Sequence, residues 1–387
     1  MKKTLVAIAA LTAVSAFAQS TVTIDGYMDR GYTKTDSNLA AKDAKGISSS
    51  AGTSTVRIGV IEDIGNGQKI GLSINTDFAD AGGLTQDGAA AAAGAAANGG
   101  NVPTASSTFA NSQSFLYAED AKLGKVQLGN INNEMLTAIT GIGGAFSTGV
   151  GSAYSSSWSV LNGYGSGATD KQNQVTAVTN NNETAGARGI RQAHTVKYVS
   201  PNIMGATVAI GQSLKNDVNG GTGSTVGVTD MSLTYENGPF KAMYASLKYN
   251  VGANDTAPTN GSLTAGTTNT HTATAVSYAV LPTLKLSAAM GNSKSSNGTI
   301  ADSTFTQYGV TYTMGQFDIM AQQAKVDDKL AANIDRKMTG LGLNYNLSKT
   351  ARAYVRYDHL NRDSAHALDA TKSTDLKRTA IGISKSF

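Results

Sequence analysis

The sequence predicts an all-β chain that closes into a transmembrane antiparallel β-barrel of 16 strands. Three observations lead there. Short segments alternate apolar residues with small or polar ones, the connections between them alternate between tight turns and long loops, and no stretch has a helical period that would cover the apolar faces. Charged residues make up only 15 % of the chain, against about 25 % in soluble domains. A barrel whose outer belt meets hydrocarbon needs fewer of them.

The N-terminus fixes the compartment. Lys2 and Lys3 precede a mostly apolar run from Thr4 to Phe17, and Ala16-Phe17-Ala18 has the small-x-small form of a cleavage site. This pattern predicts an export leader over residues 1–18 and a mature chain over 19–387. The run is shorter than the roughly 20 apolar residues of a membrane-spanning helix. The chain has no cysteine, which removes disulfides and thiol chemistry. Its net charge is +4, and two of those charges, Lys2 and Lys3, lie in the leader. The mature chain is thus nearly neutral, which argues against a nucleic-acid partner.

Strands follow from period two. In Met338 to Leu347, Leu341, Leu343, Tyr345 and Leu347 share one face, while Met338, Gly340, Gly342, Asn344 and Asn346 share the other. Thr350 to Asp358 repeats the pattern, with Ala351, Ala353, Val355 and Tyr357 opposite Arg352, Tyr354, Arg356 and Asp358. Sixteen such segments begin near residues 21, 53, 68, 110, 124, 189, 204, 227, 240, 269, 283, 303, 316, 337, 350 and 375. Seven connections are short, near Gly65, Lys122, Pro201, Gly238, Pro282, Gly315 and Ser348, and eight are longer. Strict alternation suits an up-and-down barrel with tight turns at one rim and loops at the other.

The loops Thr33–Gly52, Asp80–Thr108, Val251–Asn269 and Ala365–Ser373 are rich in small and polar residues. The longest connection, the third loop (131–188), differs. Its first half, Met135 to Val160, is moderately apolar and carries Phe146, Tyr154 and Trp158. Read from these residues, it either packs inside the barrel or forms a surface loop with a small apolar cluster. The last strand places Thr379, Ile381, Ile383, Lys385 and Phe387 on one face. Pairing it with the first strand removes both free edges.

Several fragments resemble the Gram-negative general porins, most closely the trimeric porins of β-proteobacteria. They are Val22-Thr23-Ile24-Asp25-Gly26-Tyr27-Met28-Asp29, Val56-Arg57-Ile58-Gly59 followed by Glu62-Asp63-Ile64-Gly65, Leu123 to Gly129, Tyr198 with Ser200-Pro201, and the terminal Phe387. The resemblance implies a homotrimer in the outer membrane, in contact with its lipid and lipopolysaccharide, with one pore per subunit. It implies a passive diffusion channel for ions and small hydrophilic solutes. It further implies that the third loop folds into the lumen opposite a ladder of basic side chains, and that the barrel-assembly machinery reads the terminal Phe. Ser112 and Asn130 stand where the family usually has arginines, so two rungs are missing, and the expected anion selectivity is weak.

Mid-strand charges are expected on the wet lumen face, because Arg or Lys at the lipid midplane costs about 2–4 kcal/mol. Parity then gives Arg57, Lys197, Lys248, Lys285, Arg352, Arg356 and Arg378 as pore-lining, each the alternative of an ordinary wetted rim charge. Asp25, Asp29 and Asp358 are expected to pair with this wall, and Glu134, at the root of the third loop, to face it. The four histidines have no metal-ligand spacing, no phosphate-binding loop is present, and no nucleophile-base-acid arrangement stands out. No cofactor, metal or catalytic residue is therefore expected. Two other functions fit the same barrel: a substrate-selective porin, and an anchor or adhesin whose lumen is closed.

Overall fold

The computed structural model describes residues 20–38, 44–77, 109–110, 112–147, 149–152, 191–214, 226–251, 268–296, 302–329, 335–362 and 375–387. The expected leader, the second and eighth long loops (Asp80–Thr108 and Ala365–Ser373), and the third loop beyond residue 152 lie outside the described residues. So does the interior of the loop Val251–Asn269.

Seventeen strands form one antiparallel sheet. They are β1 (Ser20–Ser37), β2 (Ala44–Ser48), β3 (Thr55–Gly65), β4 (Gln68–Asp77), β5 (Ser114–Asp120), β6 (Gly124–Asn132), β7 (Arg191–Val199), β8 (Ala206–Ser213) and β9 (Val226–Asn237). Then follow β10 (Phe240–Val251), β11 (Thr268–Leu281), β12 (Leu284–Ser295), β13 (Ser303–Met314), β14 (Phe317–Asp328), β15 (Arg336–Asn346), β16 (Ala351–Arg362) and β17 (Asp375–Ser386). From β3 to β17 each strand pairs with its sequence neighbours, and β1 pairs with β17 on one side and β3 on the other. The sheet is thereby a closed barrel of 16 strands, with β2 as an extra strand beside the long-loop end of β1.

Closure is exact to the last residue: Gly26 and Phe387 exchange N–H···O bonds at 3.1 Å each. Hydrocarbon offers no partner to an open edge, so this pairing is what the membrane requires. Tight turns join the strands at the rim where β1 begins and β17 ends. In the first of them Asn66 and Gly67 have φ of 56° and 80°, the left-handed region that a two-residue hairpin loop demands and that Asn and Gly tolerate best.

The expected parity holds on the closing strands. Leu341, Leu343, Val355, Ile381 and Ile383 are exposed on the outer surface, whereas Met338, Asn344, Tyr354, Arg356, Asp358, Arg378 and Ala380 are buried inside. Tyr198, Tyr235, Phe240, Tyr278, Tyr312, Phe317, Tyr345 and Phe387 are exposed near the short-turn rim, where amphipathic rings suit the interface between hydrocarbon and headgroups.

One loop expectation is corrected. The span Thr33–Gly52 is not all loop: β1 runs on to Ser37 and pairs with β2, with Tyr32 opposite Ile47 and Lys34 opposite Lys45. Apart from Tyr32 and Ile47, both faces of this hairpin are polar or small. Its sequence therefore lacks the apolar/polar contrast by which a strand is recognised.

Candidate functional site

The interior is organised by the first half of the third loop. After β6 the chain enters a single α-helical turn, α1 (Glu134–Leu136), which continues as a π-helical turn over Thr137–Ile142. Asn133 caps α1 through its side-chain oxygen, which accepts Leu136 N at 3.1 Å. Met135, Ala138, Ile139 and Ile142 then pack against Met243, Leu247 and Tyr249 of β10, Ala273 and Ala275 of β11, and Ala289 of β12. Met135 and Ile139 are almost wholly buried; each such side chain contributes about 1.5–3 kcal/mol. The alanines let the loop lie close. A Cβ added at Gly143 would collide with Ala289.

Polar wall residues then take up the loop's backbone groups, which would otherwise be buried without partners. Gln307 of β13 donates to the carbonyls of Ile139 (3.1 Å) and Gly143 (2.8 Å). Gln322 of β14 accepts Ala145 N at 2.9 Å. Phe146 packs on Gly342 of β15, with its ring centre 5.7 Å from the guanidinium of Arg356. Gly151 N donates to Asp358 Oδ2 at 2.8 Å. The described part of the loop thus runs along the inner wall from β9 to β16. From Met135 to Ser152 it carries no charged side chain.

The predicted site residues fall into five groups. Asp25 of β1 and Arg57 of β3 face the lumen and pair with each other: Arg57 Nε lies 3.0 Å from Asp25 Oδ2, and Nη2 also reaches that oxygen. Lys285 shares the inner parity of the buried Ser287 and Ala289 on β12 and has no carboxylate partner among the described residues. Arg352, Arg356 and Arg378 do stand together on the inner face of β16 and β17. Arg352 donates to Ser384 Oγ at 3.1 Å and Tyr27 OH at 3.4 Å. The other two lie buried under the third loop, Arg356 on the carbonyls of Leu343 and Val355 and on Asn344 Oδ1, Arg378 on Asp358.

Two expectations need correction. Lys248 sits on the outer face of β10, exposed between the buried Leu247 and Tyr249. Parity fails there because the third loop covers the inner surface of β10, so the apolar residues point inward and the polar ones outward. Glu134 does not look across the lumen. Its carboxylate pairs with Lys197 beside it, and Lys197 Nζ also lies 3.4 Å from Asp230 Oδ2 and 3.1 Å from Asn132 O. Asp230 in turn accepts Glu134 N through both oxygens at 3.1 Å, and Ser232 Oγ donates to Glu134 Oε2 at 3.0 Å. This buried cluster pins the root of the loop. Lys197 faces inward as expected, but it is an anchor whose charge is already matched.

Sequence reasoning missed Asp230, Gln307 and Gln322. The available signal was inward parity: each is a large polar residue on a face otherwise built of small or apolar ones. At the two positions that lack arginine, Asn130 Nδ2 donates to Ser112 O at 2.6 Å.

A family model described as Gram-negative porin matches residues 4–365. Among solved structures, the chain is similar to an anion-selective porin from Comamonas acidovorans, at 20 % identity and a TM-score of 0.69, over 95 % of this chain and 100 % of that one. It is also similar to OmpT of Vibrio cholerae in a trimer form (14 % identity, TM-score 0.62, 95 % and 99 % covered). A third is the outer membrane channel DcaP of Acinetobacter baumannii (12 %, 0.58, 95 % and 97 %). No curated protein matches the chain in sequence.

Proposed function

We infer the function from one premise: this chain belongs to the Gram-negative porin family. It is a passive diffusion channel of the outer membrane, and ions and small hydrophilic solutes cross it through the lumen that the third loop narrows. Constriction width and the field of the lining charges then govern passage, with no chemical step.

We assign weak anion selectivity. The observation that carries it is that, among the described inward-facing charges, Arg352 and Lys285 are cations outside any salt bridge, while Arg57 is paired with Asp25, Lys197 with both Glu134 and Asp230, and Arg378 with Asp358. Asp318 of β14, which accepts from Thr313, Asn344 and Asn346, moderates the field at Arg352. The uncharged loop segment adds no opposing carboxylates. Arg356, close to Arg352 but sealed beneath Phe146, adds to the positive field without touching solute. Asp25, Arg57, Lys285 and Arg352 are proposed as pore-lining, and Lys197, Glu134, Arg356 and Arg378 as the supports of the third loop.

The same reading makes residues 1–18 the export leader and Phe387 the signal for the barrel-assembly machinery. It makes the working form a homotrimer in contact with outer-membrane lipid and lipopolysaccharide. The solved trimer form of OmpT of Vibrio cholerae supports the trimer.

Swelling of liposomes that contain the refolded protein tests this function. Entry rates that fall smoothly with solute size, without saturation, are expected. Saturation by one solute that then blocks the others would replace this reading with a substrate-selective porin.

A further inference from the structure

The segment between β2 and β3 does not stay at the rim. Ser50, Ala51 and Ser54 are buried, because residues 49–54 leave the sheet and turn inward between two stretches that both pair with β1. Asp29, itself without exposed surface, receives them. Its Oδ2 accepts Ala51 N at 2.6 Å and Gly52 N at 3.0 Å, and its Oδ1 accepts Tyr354 OH at 2.5 Å.

Tyr354 reaches Asp29 from β16 by crossing over β17. It can do so because Gly382 and Gly31 lie beneath its hydroxyl, and a Cβ at either would collide with it. From the other side, the third loop docks on the same segment. Val150 N donates to Ser50 O and Ser147 Oγ to Ala51 O, both at 2.6 Å. A Cβ at Gly149 would strike the backbone of Ser50 and Ala51.

A carboxylate held by two backbone amides and a phenol makes charge-assisted hydrogen bonds, which are stronger than neutral ones. Two peptide segments from different loops therefore meet at one fixed point on the wall. We propose that Asp29 is a positioning residue that fastens the first long loop to Ser147 and Val150 of the third, so that the two loops jointly build the constriction. Asp29 touches no solute; it acts through the placement of residues 50–52 and, through them, of 147–150. This rests on the channel reading above.

Single-channel recording of refolded full-length mature protein tests it, with heat-dependent gel mobility to verify folding. Asp29→Ala is expected to raise unit conductance beyond the wild-type spread and to add open-channel noise. Tyr354→Phe, which removes only the phenol donor, is expected to shift both in the same direction by less. If the loops are coupled through this point, Ser147→Ala adds nothing further in the Asp29→Ala background, although it widens the pore alone. Folded Asp29→Ala and Tyr354→Phe proteins with wild-type conductance and noise would overturn the proposal. Should Asp29→Ala not fold, Tyr354→Phe decides by the same criterion. A wild-type protein that folds and inserts but does not conduct would instead overturn the channel reading itself.

Discussion

Arg378 donates through Nε and Nη2 to the two carboxylate oxygens of Asp358, at 3.1 and 2.8 Å, and the second of those oxygens also accepts the amide of Gly151. A buried ion pair on the barrel wall thereby doubles as the catch for the third loop. Charges that a reading of strand parity assigns to solutes are spent on holding the element that narrows the pore.

Removing one side of that pair should be costly. Asp358→Ala strands the Arg378 guanidinium in a buried site and frees Gly151, a change of about 3–5 kcal/mol for a broken buried pair. The expected outcome is a lower denaturant midpoint together with a wider, noisier channel.

The opposite sign is expected at Gly340. A Cβ there would collide with the backbone of Gly151, so Gly340→Leu pushes the loop off the wall and into the lumen. Unit conductance should fall. The overpacking itself costs about 1–3 kcal/mol, a loss that thermal or denaturant melting measures.

Ion selectivity should follow the unmatched cations. Arg352→Gln and Lys285→Gln are each expected to move the zero-current potential in a salt gradient toward the cation side, and by less as ionic strength rises. Lys248→Gln, on the outer face, should leave it unchanged. A shift from Lys248→Gln equal to that from Arg352→Gln would show that the lumen assignments are misplaced.

Lys197 separates anchor from rung. Lys197→Met leaves Glu134 and Asp230 as neighbouring buried carboxylates, so it should destabilise the barrel by about 3–5 kcal/mol. It should move selectivity far less than Arg352→Gln does, because the charge it removes is already balanced. Equilibrium unfolding and the zero-current potential, measured on one sample, report the two effects separately.

Much of the fold was legible because a lipid-facing strand writes its period plainly. Leu341, Leu343 and Tyr345 alternate with Gly340, Gly342 and Asn344, and the barrel turns the first set outward. Parity lost its meaning where the third loop covers the inner face of the wall. On β10, Met243, Ala245, Leu247 and Tyr249 look like a lipid face, yet they are the floor under the third loop, and Lys248 is displaced outward by the same logic. The residues that hold the loop were less visible for another reason. Gln307, Gln322 and Asp29 serve backbone groups of segments 22 to 177 residues away in sequence, and periodicity carries no record of such distant partners. The arginines of β16 and β17 were recognised as inward-facing, but sequence spacing does not tell a free cation from one already paired.

The central claim is a water-filled, weakly anion-selective pore, and single-channel recording of the refolded mature protein across a KCl gradient meets it most directly. Discrete open steps with a zero-current potential modestly on the anion side are predicted. A cation-side potential would contradict the assignment of Arg352 and Lys285, and the absence of any steps from folded, inserted protein would contradict the channel.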